Sequence, residues 1–144
     1  MFLTTGNAME ALTDAVIPAL RGDATLSALV TGVYTKVPQA QRTSHPYVRV
    51  SDPLMTDFGS MGHGGGHVQF AVDVWHRKPH TVQAVLARVA VVLERRELAL
   101  VGFTVVGGSL HCVEARTFDE PDPDKPEESL IHGHQTWEAL VDEA

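Results

Sequence analysis

Cysteine is almost absent from this chain. Cys112 stands alone among 144 residues, so an intrachain disulfide and a zinc site of several thiolates are both excluded. A single thiol in strand-like sequence reads as a small core hydrophobe, because a nucleophile needs an activating base and an accessible, electropositive setting. Positive charge is also scarce. Lys and Arg total 11 against 18 Asp and Glu, a net charge of −7. That balance argues against a general phosphate-gripping surface and against a peripheral binder of anionic membranes. No apolar run approaches the ~18 residues that mark a membrane-spanning helix. Met1–Gly6 has no basic segment leading into a long apolar stretch, so no secretory leader is expected. The expected setting is a cytoplasm, or a particle assembled there.

What remains is one domain's worth of ordinary globular sequence, 44% hydrophobic and 20% charged, long enough to build a core without staples. Met9, Leu12, Val16 and Leu20 recur at helical spacing, which predicts a helix over Asn7–Leu20 with Asn7 as cap and Glu10 as its capping-box partner. Pro18 predicts a kink or break near Ile17. Asp23 is placed to cap a short second helix, Ala24–Val30. Val33–Val37 and Tyr47–Ser51 read as strands. Ser51–Gly66, with Pro53 and five glycines, reads as a long mobile loop from about residue 52 to 66.

His67–His76 carries the clearest alternation: Val68, Phe70, Val72 and Val74 mark a core face. The intervening Asp73 and Trp75 hint that the second face is covered too. Pro79–Arg96 is the clearest helix, with Val82, Val85, Leu86, Val89, Val92 and Leu93 as its buried stripe and Arg95 and Arg96 in its last turn. Gly107-Gly108, between Phe103–Val106 and Leu110–Phe118, predicts a hairpin. An acidic, proline-punctuated loop follows at about 119–130, then a strand over Ile131–Val141. Consecutive strands with few helices indicate an α+β domain: an antiparallel or mixed sheet packed against one long helix and an N-terminal helix.

Chemistry-bearing patterns are sparse. Eight histidines raise the question of metal. His63 and His67 are four apart, but the glycines between them remove any helical meaning from that spacing. His132 and His134 share one strand face, yet a site needs further ligands. His111 or an aspartate of the acidic loop could supply a third. The plainer reading is solvated or interface histidines, with no metal and no cofactor assigned. The glycine cluster lacks the Lys-Ser/Thr ending of a phosphate loop and leads into a strand rather than a helix. Asp57, Asp73, Asp119, Asp122 and Asp124 have no spacing tied to acid–base catalysis; Asp122-Pro123-Asp124 resembles a turn. No catalytic constellation emerges. Trp75 and Trp137 read as core aromatics, with interface anchoring as the sharper alternative.

Taken in order, the segments resemble the tail terminator, or tail completion, proteins of long-tailed bacteriophages and gene-transfer particles. The series runs from Leu26-Ser27-Ala28-Leu29-Val30 through Val33–Gln39, Pro46-Tyr47-Val48-Arg49-Val50 and Val72-Asp73-Val74-Trp75-His76-Arg77. It continues with the helix carrying Ala84–Leu93, then Leu98–Gly102, Asp122-Pro123-Asp124 and His132-Gly133. The specificity lies in order and spacing, since no single motif is strong. The resemblance implies a structural, non-enzymatic virion protein at the tail–neck junction. It implies a ring, typically a hexamer, that caps the tail tube, ends its polymerisation and joins it to head-completion proteins. DNA would pass through the channel without specific binding. Interface candidates are then Asp57, Phe58, Met61 and His63 in the glycine-rich loop, Trp75 on its strand, Asp122 and Asp124 in the acidic loop, and His132 and His134. The alternatives are a neck adaptor or head–tail stopper of the same particle, a small His-dependent metalloenzyme, and a generic α+β binding domain.

Overall fold

Alternation in the middle of the chain sets the architecture. The structure, a computed structural model, describes residues 5–57 and 65–143. Its elements are α1 (Thr5–Arg21), α2 (Ala24–Leu29), β1 (Val33–Tyr34), a 3₁₀ turn (Gln39–Gln41), β2 (Val48–Asp57), β3 (Gly65–His76), α3 (Pro79–Leu93), β4 (Phe103–Val105), β5 (His111–Pro121) and β6 (Ser129–Glu143). The strands form one six-stranded mixed sheet in the order β1-β2-β3-β6-β4, with β5 also paired to β6. All pairings are antiparallel except β1 with β2. The fold is α+β, as its run of consecutive strands predicts.

All three helices lie on one face of the sheet. Val68, Phe70, Val72 and Val74 of β3 meet Leu12, Val16 and Leu20 of α1 and the expected stripe of α3 in a single core. Each such side chain stabilises the fold by about 1.5–3 kcal/mol when fully buried. From β6, Gln135, Trp137, Ala139 and Val141 join the same layer. Trp137 is therefore a core residue, stacked on Phe70 at 6.4 Å. Gln135 closes its own polar account: its side-chain nitrogen donates to the Leu86 carbonyl at 2.9 Å, and its oxygen accepts from Trp137 Nε1 at 3.0 Å. Asp23 caps α2 by accepting from the Leu26 N–H and clamps Arg88 of α3 through both carboxylate oxygens.

Several elements differ from the sequence reading, each for a physical reason. α1 is continuous from Thr5, so Asn7 lies inside it rather than at its cap, and Pro18 does not break it. Pro18 and Asp14 both face solvent, where water can satisfy the carbonyl that lost its N–H partner. The presumed loop from residue 52 is strand up to Asp57, and β3 already begins at Gly65. Pro53 is accommodated by a register shift between Ser51 and Leu54, where Asp52 takes φ 55°; a bulge is one of the few places a sheet tolerates proline. Residues 58–64 of that segment lie outside the described residues.

The Gly107-Gly108 pair does not reverse the chain. β4 pairs with the end of β6 and β5 with its earlier part, so both run along the same edge in the same direction. The glycines form a turn closed by Ser109 N–H donating to the Val106 carbonyl, with Gly108 at φ 72°. The true hairpin is β5–β6. Its connection is only Asp122–Glu128, because the acidic segment up to Pro121 and from Ser129 is strand. α3 ends at Leu93, and Arg95 turns away at φ 58°, so Arg95 and Arg96 lie past the helix.

Candidate functional site

Among the described residues the sheet's other face carries no helix, yet it is not a plain solvated surface. Alternation in β3 and β6 points Asp73 and Trp75, and His132 and His134, to this side. Asp73 is 1% exposed. Its Oδ1 accepts from His132 Nε2 and from His134 Nδ1, both at 2.7 Å. Its Oδ2 faces an Arg49 guanidinium nitrogen from β2 at 3.4 Å. His132 Nδ1 in turn donates to Glu120 of β5 at 3.0 Å, and the second Glu120 oxygen accepts from Trp75 Nε1 at 2.6 Å. Six strand residues from four strands thus form one polar network.

Aromatic rings roof it. Trp75 stacks on His132 at 4.4 Å, and Phe118 covers the same imidazole at 4.6 Å. Arg49 lies over the Trp75 ring at 4.9 Å, a cation–π contact. Tyr47 continues the layer toward His45. Carboxylates only accept, so His132 donates from both ring nitrogens, which is the imidazolium form. Burial pulls its pKa down, but the hydrogen bonds to Asp73 and Glu120 outweigh that and hold it above the ordinary histidine value. Burial likewise pushes Asp73 up, and the bonds from His132 and His134 overcome it, so its carboxyl sits below the usual range.

The remaining sequence candidates fall elsewhere. Asp122 is buried in its own loop. Its carboxyl accepts from the Asp124 backbone N–H and from Arg77, at 2.9 and 2.6 Å, which together keep its pKa low. Asp124 reaches Arg42 at 3.8 Å on the surface. Both serve the β5–β6 connection rather than the histidine network. Asp57 closes β2 opposite Gly66. Phe58, Met61 and His63 lie outside the described residues. Cys112 is half-buried rather than fully buried, and burial raises its thiol pKa, which keeps it in the unreactive form.

Asp73, Glu120 and Arg49 join the two histidines here, a grouping that the sequence pattern does not bring together. The partner that His132 and His134 share is the carboxylate of Asp73, from β3, and not His111; Glu120, from the segment read as an acidic loop, bonds His132 alone. His111 instead shares Glu138 with His67, at 2.8 and 2.6 Å. The available signal was the acid in the middle of β3's alternation. Glu120 carries no such signal, because the acids and prolines around it read as a loop and not as the strand they form.

Among the described residues, the sheet is clad by helices on one face and carries ordered charged and aromatic groups on the other. The family model described as "Tail completion protein gp17" matches residues 14–142. The chain belongs to that family, and its role is structural, in tail assembly. It is also similar to a chain in the solved virion of a native gene transfer agent particle, at 26% identity and a TM-score of 0.79, covering 96% of this chain and 99% of that one. Comparison with curated proteins gives no match.

Proposed function

We propose that this protein forms a closed homo-oligomeric ring, a hexamer, that caps the tail tube at the tail–neck junction. The ring ends tube polymerisation and joins the tail to head-completion proteins. The observation that carries self-assembly is the free edge of the sheet. β5 pairs only with β6 among the described residues, leaving the outer side of an eleven-residue strand open. Long open edges are a hazard in a monomer and a ready interface in an assembly. The register shift between Cys112 and Glu114 leaves Val113 51% exposed, and Phe118 is 38% exposed on the same strand. A cyclic ring needs two different complementary patches per subunit; β5 supplies one, and the short β1 edge at the far side of the sheet supplies the other.

The charge balance fits a conduit. A net −7 repels phosphates, so DNA passes the channel without being gripped. Assembly takes place in the host cytoplasm. The test is the mass and shape of the purified protein by light scattering and electron microscopy. Closed rings with a channel wide enough for duplex DNA are expected. A persistent monomer at assembly concentrations would contradict the proposal.

A further inference from the structure

We propose that Asp73, His132 and His134 form a binding site for one divalent transition-metal ion on the helix-free face of the sheet. Three observations converge. The first is the donor set: two imidazole nitrogens and one carboxylate oxygen, all within 4.8 Å of one another. Two histidines and one carboxylate suit zinc, iron and their neighbours, and leave positions open for water or another ligand. The strands fix the geometry. His132 and His134 are alternate residues of β6, and Asp73 stands directly opposite His134 on β3. Metal binding displaces the proton that His132 Nε2 gives to Asp73 and releases it to solvent, and side-chain rotations then set all three atoms at the usual ligand distances of about 2.0–2.2 Å from a common centre.

The second observation is the outer ring of partners. Metal-binding imidazoles use their other nitrogen to bond a carboxylate or hydroxyl, which sets the tautomer and orientation. His132 places that nitrogen on Glu120, and His134 places its own against Thr136 Oγ1 at 3.3 Å. Glu120 is itself held by Trp75, and Asp73 by Arg49.

The third is burial. Asp73 is nearly inaccessible, and the His132 and His134 side chains are 12% and 22% exposed. The same sheet face offers an internal contrast in His67, Glu138 and His111. There the two histidines sit on separate oxygens of Glu138 and are 31% and 38% exposed. That trio is an ordinary half-exposed pairing, and it serves as the control. The inference is independent of ring formation, since all three ligands belong to one chain. It also gives two of the eight histidines of the sequence a use that solvation alone does not.

The test uses the full-length protein stripped with a chelator and titrated with Zn²⁺ by calorimetry, with Co²⁺ absorption as a second probe. One ion per chain is expected, with Kd at or below about 1 µM and a raised melting temperature. His134→Ala should weaken binding by at least about tenfold, and Glu120→Gln by about 10–100-fold, the usual effect of losing an outer partner. His67→Ala and His111→Ala should leave it unchanged. X-ray absorption at the zinc edge should report two imidazoles. If His132→Ala fails to fold, the His134 variant and the wild-type spectrum still decide. Absence of stoichiometric binding to the wild type would overturn the proposal. So would affinity that survives His134→Ala, or that falls equally in His67→Ala.

Discussion

Gly133 of β6 lies directly beneath α3 with no room for a side chain. A Cβ there would stand 2.5 Å from Val82 Cγ1, 2.9 Å from Leu86 Cδ1 and 3.0 Å from Val74 Cγ1. Carbon atoms pack best at about 3.5–4.0 Å, so Gly133→Ala forces α3 outward by about 1 Å or drives three core side chains off their rotamers. Overpacking of this kind costs about 1–3 kcal/mol. Alanine recovers about 0.5–1 kcal/mol of the entropy glycine loses in a strand, which leaves a net loss centred on about 1 kcal/mol and reaching about 2.5 kcal/mol. At this chain length that lowers the melting temperature by roughly 3–4 °C, and by no more than about 10 °C. Thermal unfolding followed by far-UV circular dichroism measures it. Gly107→Ala is the control. Its new Cβ meets only the tip of the Glu97 side chain, at 3.2 Å, and stability should change by less than about 0.5 kcal/mol. A Gly133→Ala protein that melts at or above the wild type would refute the packing argument. An equal fall in the Gly107 variant would do the same.

Other outcomes follow from the same contacts. Gln135→Leu strands the buried Trp137 N–H and should cost about 1–3 kcal/mol in chemical denaturation; a neutral result would show that a water replaces the amide. The bond from Arg88 and the N–H of Leu26 lower the Asp23 pKa from 3.8 to about 2. A depressed carboxylate stabilises the fold above its unfolded pKa, so this contribution is complete above about pH 4 and disappears as the pH falls through about 2. The melting temperatures of the wild type and Asp23→Asn should therefore converge as the pH is lowered across that window; a constant gap would remove Asp23 as the cause. Val113→Lys should leave the monomer's melting temperature nearly unchanged yet abolish ring formation on a sizing column; intact rings would move the interface away from β5.

The parts legible in the sequence were those governed by periodicity. The α3 stripe, the β3 alternation and the Asp23 cap each depend on residues within one turn or a few strand positions. The misreadings arose where the signal was composition or where partners came from afar. Pro53 signalled a loop, and the chain answered with a bulge. Gly107-Gly108 signalled reversal, but β6 is long enough to pair with both flanking segments in line, so the turn became a step. The histidine network was half visible: spacing put His132 and His134 on one face, and alternation put Asp73 and Trp75 on one face. Nothing local said that the two strands are neighbours in a register that sets Asp73 beside His134. Glu120 and Arg49 arrive from two further strands, and only the sheet order brings them in.

The most direct test of the central claim is whether the purified protein caps tail tubes. Tube protein polymerising alone should stop lengthening when this protein is added in substoichiometric amounts, and electron micrographs should show one ring at one end of each arrested tube. Continued elongation at the same rate, with the added protein unbound or scattered along the tube walls, would contradict the account.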